Sequence, residues 1–365
     1  MRKIFILFAA CMLCVACGLN DSQAKLEAEK VLIGSLYYNL YDNNTAEVVY
    51  KYGNKYSGNV VIPESVKYKN TTYRVISIGK SAFDGCYELI SISIPNSVTS
   101  IGGSAFANCS GLTTISIPNS VTSIGGSAFY ACNGLTSPVY NNRIFAYMPR
   151  NYYGAYSIPD GIEQIGNGAF FGCQYLTSIS IPNSVKTIED DAFYCCYSLT
   201  KVTIPGSVTC IGERAFRECK NLTSVTISEG VTSIGEEAFM RCYRLYNISL
   251  PNSLKSIGDM AFKDCESLSY IIIPNGVTDI GRIAFSGCTN LASVNIPNGI
   301  TIIKHATFNE CSSLRSVTIP KSVTTIEYLA FGYCESLKSI VIPKSVTSLD
   351  EYAFLGCPNL KMIYE

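Results

Sequence analysis

Apolar residues recur along the chain in one fixed pattern, which joins two short alternating runs to a compact apolar cluster. In a representative copy, residues 115–117 alternate Ile-Ser-Ile, which predicts a strand whose isoleucines face a core. Pro118 ends this strand because proline cannot donate a hydrogen bond to a continuing ladder. A second extended segment at residues 121–124 and a short helical piece at residues 127–132 follow. The pattern therefore predicts a coil made of two strands and one short helical turn.

The pattern repeats at a nearly constant interval, and one phenylalanine marks each copy. Successive marker phenylalanines are 23 residues apart, except for an interval of 41 between Phe129 and Phe170. Self-similarity at such a period is typical of solenoids, in which each coil packs on the next. We predict a repeat solenoid of twelve ~23-residue coils, rich in β-strand with short helical turns. The markers are Phe83, Phe106, Phe129, Phe170, Phe193, Phe216, Phe239, Phe262, Phe285, Phe308, Phe331 and Phe354.

Cysteine follows the same interval. Twelve of the 17 cysteines lie three residues after a marker phenylalanine, and one thiol at a fixed position of every coil is typical of a small buried apolar site. We interpret this column as reduced core thiols. Disulfides between adjacent coils are an alternative, since neighbouring strands lie about 5 Å apart, whereas zinc lacks the usual CxxC pairs and histidines. The column consists of Cys86, Cys109, Cys132, Cys173, Cys196, Cys219, Cys242, Cys265, Cys288, Cys311, Cys334 and Cys357.

The consensus Cys-x-x-Leu-x-x-Ile-x-Ile-Pro-x-x-Val-x-x-Ile-Gly-x-x-Ala-Phe resembles the BspA-like leucine-rich repeats of bacterial and some protist surface proteins. The resemblance covers roughly residues 61–365. It implies a leucine-rich repeat horseshoe in which the Leu-x-x-Ile-x-Ile strands form the concave sheet. It also implies a secreted or cell-surface protein that adheres to host or other microbial proteins. No residue-level binding motif comes with the repeat.

The residues before the repeats predict export. Two basic residues precede an apolar run at residues 4–15, which is too short to span a membrane and is typical of a signal sequence. The signal comprises residues 1–24 or, if the chain is a lipoprotein, residues 1–16 with Cys17 acylated as the lipid anchor. Residues 25–60 predict a small β cap, because an uncovered solenoid end exposes both its core and unpaired strand groups.

Composition and charge argue against several classes of partner. The chain has 28 basic and 28 acidic residues, and only 15% of its residues are charged, so no net field favours nucleic acid or an anionic membrane surface. No later run approaches the ~18 apolar residues that a membrane-spanning helix needs. We predict no transmembrane span, no nucleic-acid partner, no metal and no cofactor.

The outward positions of the predicted concave sheet carry mostly hydroxyl side chains. Such a face is either a partner site, as in many solenoids, or a plain solvated β surface, since short hydroxylic residues are rare among binding hot spots. Tyr270 and Ile272 depart from this composition. They are the candidate contact residues of the face.

The long interval contains an insertion of 18 residues, which lies within residues 137–157. The insertion gathers tyrosines, arginines and a phenylalanine, which are residue types that anchor protein interfaces. We predict that it contributes to a partner site; the alternative is a hairpin that packs on itself and covers sheet edges at the interruption. The candidate contact residues are Tyr140, Arg143, Phe145, Tyr147, Arg150, Tyr152 and Tyr153.

Two other classes of function stay open. A catalytic role would fall to the single histidine, His305, or to Cys195 and Cys210, which lie outside the cysteine column at positions predicted to face solvent. No nucleophile or base with a matching role accompanies them in the sequence. A structural spacer could instead self-associate through the open edge of its last strand. We predict an exported, non-catalytic surface protein that binds extracellular or host proteins.

Overall fold

A computed structural model describes residues 26–51, 53 and 55–365. The predicted export signal and the candidate anchor Cys17 lie outside the described residues. The described chain is built of strands and turns, and it contains no helix long and apolar enough to cross a membrane. The strands are β1 (Leu26–Ile33), β2 (Leu36–Tyr41), β3 (Thr45–Val49), β4 (Gly58–Val61), β5 (Ser65–Tyr68), β6 (Thr71–Ile78), β7 (Leu89–Ser93), β8 (Ser100–Ile101), β9 (Thr114–Ile115), β10 (Ser123–Ile124), β11 (Val139–Tyr140), β12 (Ile144–Tyr147), β13 (Gly154–Ser157), β14 (Gln164–Ile165), β15 (Leu176–Ser180), β16 (Thr187–Ile188), β17 (Lys201–Ile204), β18 (Cys210–Ile211), β19 (Ser224–Ile227), β20 (Ser233–Ile234), β21 (Asn247–Ser249), β22 (Ser256–Ile257), β23 (Tyr270–Ile271), β24 (Asp279–Ile280), β25 (Ser293–Asn295), β26 (Ile302–Ile303), β27 (Ser316–Thr318), β28 (Thr325–Ile326), β29 (Ser339–Ile342), β30 (Ser348–Leu349) and β31 (Lys361–Tyr364).

The chain divides into two compact units. Unit 1 holds the described residues up to Pro149 together with Gln164–Ala169, and unit 2 holds Arg150–Glu163 together with Phe170–Glu365. Each unit is a β-solenoid, because its coils stack through parallel strand pairs. The solenoid that the repeat period predicts is therefore confirmed.

Each regular coil contributes two strands, which we call the A-strand and the B-strand. In unit 2, A-strand β17 pairs in parallel with A-strand β19, and B-strand β18 pairs in parallel with B-strand β20. Both pairs join residues that are 23 positions apart, such as Lys201 and Ser224. The A-strand alternates as predicted: Val202 and Ile204 are buried, whereas Lys201 and Thr203 are exposed.

The third side of each coil is a series of turns, where the sequence predicts a short helical piece. Around Phe216, Arg214 and Glu218 adopt φ angles of 53° and 57°, and two left-handed residues interrupt a right-handed helix. The backbone pairs with the next coil instead. The N–H of Phe216 donates to the carbonyl of Ala238 at 2.8 Å. These turns thereby form a third inter-coil ladder of hydrogen bonds.

The interior consists of side-chain columns that repeat from coil to coil. The ring of Phe216 stacks on those of Phe193 and Phe239, with centroids 4.9 and 5.3 Å away. The thiol of Cys219 donates to the carbonyl of Phe193 at 3.2 Å, and burial raises the thiol pKa of Cys219 well above its ordinary value. All described cysteines are free, and every member of the column except Cys357 is buried. The prediction that the column lies in the core is confirmed for these buried members, and their reduced state stays a prediction.

Cys195 and Cys210 both lie at positions where the sequence predicts exposure to solvent. Cys195 is half-buried, but Cys210 is buried, so the prediction for Cys210 is wrong. Cys210 is the first residue of a two-residue B-strand that has a paired neighbour on the following coil. Ser233 and Ser256, at the same position of the next two coils, are already half-buried, because adjacent coils cover this position.

Residues before the first regular coil form a small antiparallel sheet in unit 1. Strand β2 pairs with β1 and with β3, and β3 pairs in parallel with β6. The B-strands β8 and β10 follow β6 in the same sheet. Leu36, Tyr38 and Leu40 alternate into the core along β2. Strands β5 and β6 form an antiparallel hairpin.

The insertion contains strands that belong to the solenoid. Strands β11 and β12 form an antiparallel hairpin in unit 1, and β12 pairs in parallel with B-strand β14 through Phe145 and Ile165. Strand β12 therefore takes the place of a B-strand. In unit 2, β13 pairs in parallel with A-strand β15.

Met148 completes this arrangement. Its N–H donates to the carbonyl of Ala169 at 2.7 Å, which is the bond that the N–H of Phe106 makes to Ala128 at 2.8 Å in a regular coil. Met148 is fully buried and fills the position of a marker phenylalanine. Strands β11 and β12 and Met148 thus form a shortened coil in unit 1, in addition to the twelve coils that the marker phenylalanines predict.

Candidate protein-binding surface

In unit 2, the outward side chains of the A-strands form rows that run from coil to coil. Short polar side chains dominate these rows because the outward face of a half-buried strand needs no packing residue. The residues at one such position are Ser178, Lys201, Ser224, Asn247, Tyr270, Ser293, Ser316 and Ser339.

Three large side chains interrupt these rows on two neighbouring coils. Tyr246, Tyr270 and Ile272 have exposed fractions of 53%, 56% and 70%; we call them the apolar patch. Exposed aromatic side chains on a rigid sheet lose little conformational entropy on binding and are frequent contact residues. The structure thus places both predicted residues of this face in solvent and adds Tyr246, which the sequence analysis missed. The sequence does mark Tyr246, because preceding coils have Thr177, Thr200 and Thr223 at the same repeat position.

A side-chain clamp fixes the backbone beside this patch. Strand β23 ends at Ile271, yet Ile273 is held by Asn295 of the next coil: the N–H of Ile273 donates to Asn295 Oδ1 at 2.9 Å, and Asn295 Nδ2 donates to the carbonyl of Ile273 at 2.8 Å. The amide therefore supplies hydrogen bonds that a regular ladder would give. Ile272 is held between two fixed residues with its side chain outward.

Two of the predicted contact residues in the insertion are in the core. Phe145 and Tyr147 have exposed fractions of 0% and 5%, so their interpretation as contact residues is wrong. Tyr147 packs 6.4 Å from the ring of Phe129, and its hydroxyl donates to the carbonyl of Cys132 at 3.1 Å. Both side chains fill the interior of the shortened coil. The repeat period could have indicated a core position near Tyr147, which lies 23 residues before Phe170 and next to Met148, but it gives no such signal for Phe145.

Tyr140 and Arg143 remain exposed on the hairpin of unit 1. The ring of Tyr140 stacks on Phe145 at 5.6 Å while 43% of the residue stays exposed. The turn between them is held by the buried Asn141, whose Nδ2 donates to Val121 O at 2.8 Å. The hairpin tip is therefore a rigid feature.

The remaining insertion candidates lie in unit 2. The guanidinium of Arg150 covers the ring of Phe171 at 5.0 Å, and the hydroxyl of Tyr152 donates to the carbonyl of Ala155 at 2.7 Å. Tyr153 is 80% exposed. It precedes β13, which is five A-strands away from β23, or about 25 Å at the spacing of neighbouring strands. The structure does not bring Tyr153 and Tyr270 into one site.

The residues considered for catalysis lie apart and have other contacts. His305 stacks on Tyr328 at 5.6 Å. Cys195 accepts a hydrogen bond from the hydroxyl of Tyr197 at 3.4 Å, and burial raises the pKa of its thiol. A raised pKa keeps the thiol protonated, which disfavours nucleophilic chemistry. Among the described residues, no three metal-ligating side chains form a group that could hold an ion.

The stacked coils, the Leu-x-x-Ile-x-Ile A-strands and the exposed sheet face define a leucine-rich repeat solenoid. The model of the BspA type leucine rich repeat region matches residues 59–157, 141–248 and 232–361. The chain belongs to this family, whose members are typically cell-surface proteins.

Solved structures of other bacterial proteins are similar to this chain. A leucine-rich cell surface protein of Faecalibacterium prausnitzii A2-165 is 28% identical, with a TM-score of 0.52 over 92% of this chain and 94% of that one. A leucine-rich repeat protein of Bacteroides ovatus ATCC 8483 is also 28% identical, with a TM-score of 0.47 over 91% and 99% of the two chains. Among curated proteins, none matches the chain.

Proposed function

We propose that this protein is an exported, non-catalytic adhesin that binds extracellular or host proteins through the A-strand face of unit 2. The observation that carries the proposal is the apolar patch: Tyr246, Tyr270 and Ile272 are exposed on neighbouring coils of a sheet whose other outward residues are mostly short and polar. Leucine-rich repeat proteins mediate protein binding, and exposed aromatic residues ringed by small polar ones are typical hot spots. Family membership supports a surface location; lipid anchoring through Cys17 remains a proposal.

Point substitutions are the appropriate test, because removing the insertion would also remove buried residues such as Met148. The full exported chain is assayed for binding to immobilised fibronectin, fibrinogen, laminin and collagen. The test variant is Tyr270→Ser with Ile272→Thr, since Ser224 and Thr226 occupy these positions two coils earlier. The matched control is Tyr175→Ser, which removes an exposed tyrosine of unit 2 that belongs to no candidate site.

We expect the double variant to weaken binding by about 2 kcal/mol or more, roughly thirtyfold, while the control binds normally. Unchanged far-UV circular dichroism would show that the fold is intact. Failure of the unaltered chain to bind any of these proteins would contradict the proposal for matrix proteins. Equal binding by the unaltered chain and the double variant would remove the apolar patch as the site.

A second candidate function is self-association through β31. In the described chain β31 pairs with β29 alone, and all four of its side chains are exposed. An unpaired strand edge favours pairing with another chain. Sedimentation velocity over a range of concentrations tests this function: a concentration-dependent dimer supports it, and a monomer throughout contradicts it.

A further inference from the structure

The balanced net charge conceals an uneven distribution of charge around the coils of unit 2. The A-strands of unit 2, β13 to β31, contain no aspartate or glutamate. Carboxylates gather instead near the B-strands and turns, where they pair with cations: Arg214 contacts Asp191 at 2.9 Å, and Arg241 contacts Glu218 at 3.2 Å. The balanced net charge therefore does not describe the A-strand face, whose strands lack carboxylates.

Basic residues border this face in the last coils. Arg315 and Lys338 lie one residue before β27 and β29, and Lys361 is the first residue of β31, where it pairs with Ser339 of β29. Lys321 and Lys344 lie three residues after the end of β27 and two residues after the end of β29. We call these five residues the basic patch. All five are exposed, and none of the described carboxylates lies within 4.0 Å of any of them. Their charges are therefore available to a ligand.

Two acidic residues are close to the patch in sequence. Glu335 precedes Lys338 by three positions, and Glu365 follows β31. Five cations against two carboxylates leave the region positive. Exposed like charges separated by less than a Debye length of about 8–10 Å reinforce one another.

The geometry of the basic patch suits a linear polyanion. Coils in this region are spaced 5.4 and 5.5 Å apart, measured between the rings of Phe308, Phe331 and Phe354. The two rows of cations run along the stack, and at most about 20 Å of chain separates them across a strand. A polymer with a repeating anionic group can therefore make the same contact on every coil.

The strip between the cation rows distinguishes a sugar polymer from an acidic peptide. On β27 and β29, the two strands flanked by a cation in each row, the outward residues are Ser316, Thr318, Ser339 and Val341, of which only Val341, 39% exposed, is large and apolar. The next strand, β31, adds the exposed Met362, Ile363 and Tyr364. A peptide would need pockets or aromatic anchors for its side chains, whereas hydroxyl groups can hydrogen-bond sugar hydroxyls, carboxylates and sulfates. We propose that the basic patch binds an anionic polysaccharide, carboxylated or sulfated, at a site separate from the apolar patch.

The test measures binding of the full chain to immobilised heparin, chondroitin sulfate, polygalacturonate and neutral dextran at several salt concentrations. The patch variant is Arg315→Thr with Lys338→Thr. Threonine is the residue at the same repeat position in earlier coils, as Thr177, Thr200 and Thr223. The matched control is Lys186→Thr with Lys255→Thr. It changes the net charge equally beside the B-strands, at a position where Thr209 and Thr232 occur.

We expect the unaltered chain and the control to bind at least one acidic polysaccharide at ~50 mM salt, but not dextran. The patch variant should bind about tenfold more weakly, with a shallower dependence of log affinity on log salt, by up to about 2. Lys321→Asn with Lys344→Asn, which introduces the residue found at Asn252 and Asn275, provides a second variant with the same expected loss. Heparin binding without polygalacturonate binding would identify the polymer as sulfated.

Three outcomes would overturn the proposal. The first is no binding of the unaltered chain to any acidic polysaccharide at low salt. The second is an equal loss in the patch and control variants, which would attribute binding to net charge alone. The third is tighter binding to poly-glutamate than to the polysaccharides, which would identify an acidic protein as the partner. None of these outcomes depends on the substitutions at Tyr270 and Ile272, so this proposal and the proposed function fail independently.

Discussion

The regular coils of unit 2 and the shortened coil of unit 1 fill their apolar interiors in different ways. In unit 2, Phe216 stacks between two phenylalanines at nearly equal distances of 4.9 and 5.3 Å. In unit 1, Tyr147 and Met148 fill the interior where the phenylalanine is missing, and Asn141 holds the turn of the hairpin. Repetition spreads stability over many equivalent contacts, whereas the irregular coil depends on a few residues that each make several different contacts.

The largest effect should come from breaking a regular column. Phe216→Ala and Phe239→Ala each remove a fully buried ring, and each should lower the free energy of unfolding by about 3–5 kcal/mol. The two losses should be about equal because both rings stack on both neighbours. Urea unfolding followed by circular dichroism measures both.

Tyr175→Ala is the control for these two variants. Tyr175 is 47% exposed, and its loss should change stability by at most about 0.5 kcal/mol. Clearly different losses at Phe216 and Phe239 would contradict the idea that the coils are equivalent environments.

The columns, the A-strand alternation and the solenoid follow from the sequence because packing demands the same residue at every coil. The turns do not, since their left-handed residues include Ile283 at φ 60° and Leu329 at φ 52°. From residue type alone, a left-handed conformation would be excluded at both isoleucine and leucine, because bulky side chains rarely adopt it. Stacking on neighbouring coils imposes these conformations, and a local propensity cannot reveal them.

The candidate sites were predictable to different extents. Tyr270 and Ile272 stand out because one departure from a repeated polar row is visible in sequence. Phe145 was misjudged because composition cannot distinguish an interface anchor from a core residue. The basic patch was hidden because Arg315, Lys338 and Lys361 are separated in sequence and cancel in the net charge, but the 23-residue period aligns them.

A smaller effect should come from the hairpin turn of the shortened coil. Asn141 is buried, its Nδ2 donates to Pro118 and Val121, and its Oδ1 accepts from the N–H groups of Arg143 and Ile144. Asn141→Ala removes all four of these bonds, and although the carbonyl of Pro118 keeps the N–H of Val121, the loss should cost about 2–3 kcal/mol of unfolding free energy.

The neighbouring Asn142→Ala is the matched control for that variant. Asn142 is exposed, and its backbone N–H, which the substitution retains, donates to Asn119. We expect a change within about 0.5 kcal/mol. Equal stability of the two variants would mean that the hairpin does not depend on its buried amide.

The smallest effect should come from one hydroxyl group in the shortened coil. Tyr147→Phe keeps the ring near Phe129 but removes the bond to the carbonyl of Cys132, which also accepts from the N–H of Leu135 at 3.1 Å. Because that carbonyl keeps a partner, the loss should be about 1 kcal/mol. Tyr140→Phe, on the exposed side of the same hairpin, should leave stability unchanged. Tyr147→Phe could instead leave stability unchanged while Tyr147→Ala costs several kcal/mol. In that case the ring alone, and not its hydroxyl, would stabilise the shortened coil, as the phenylalanine rings do in the regular coils.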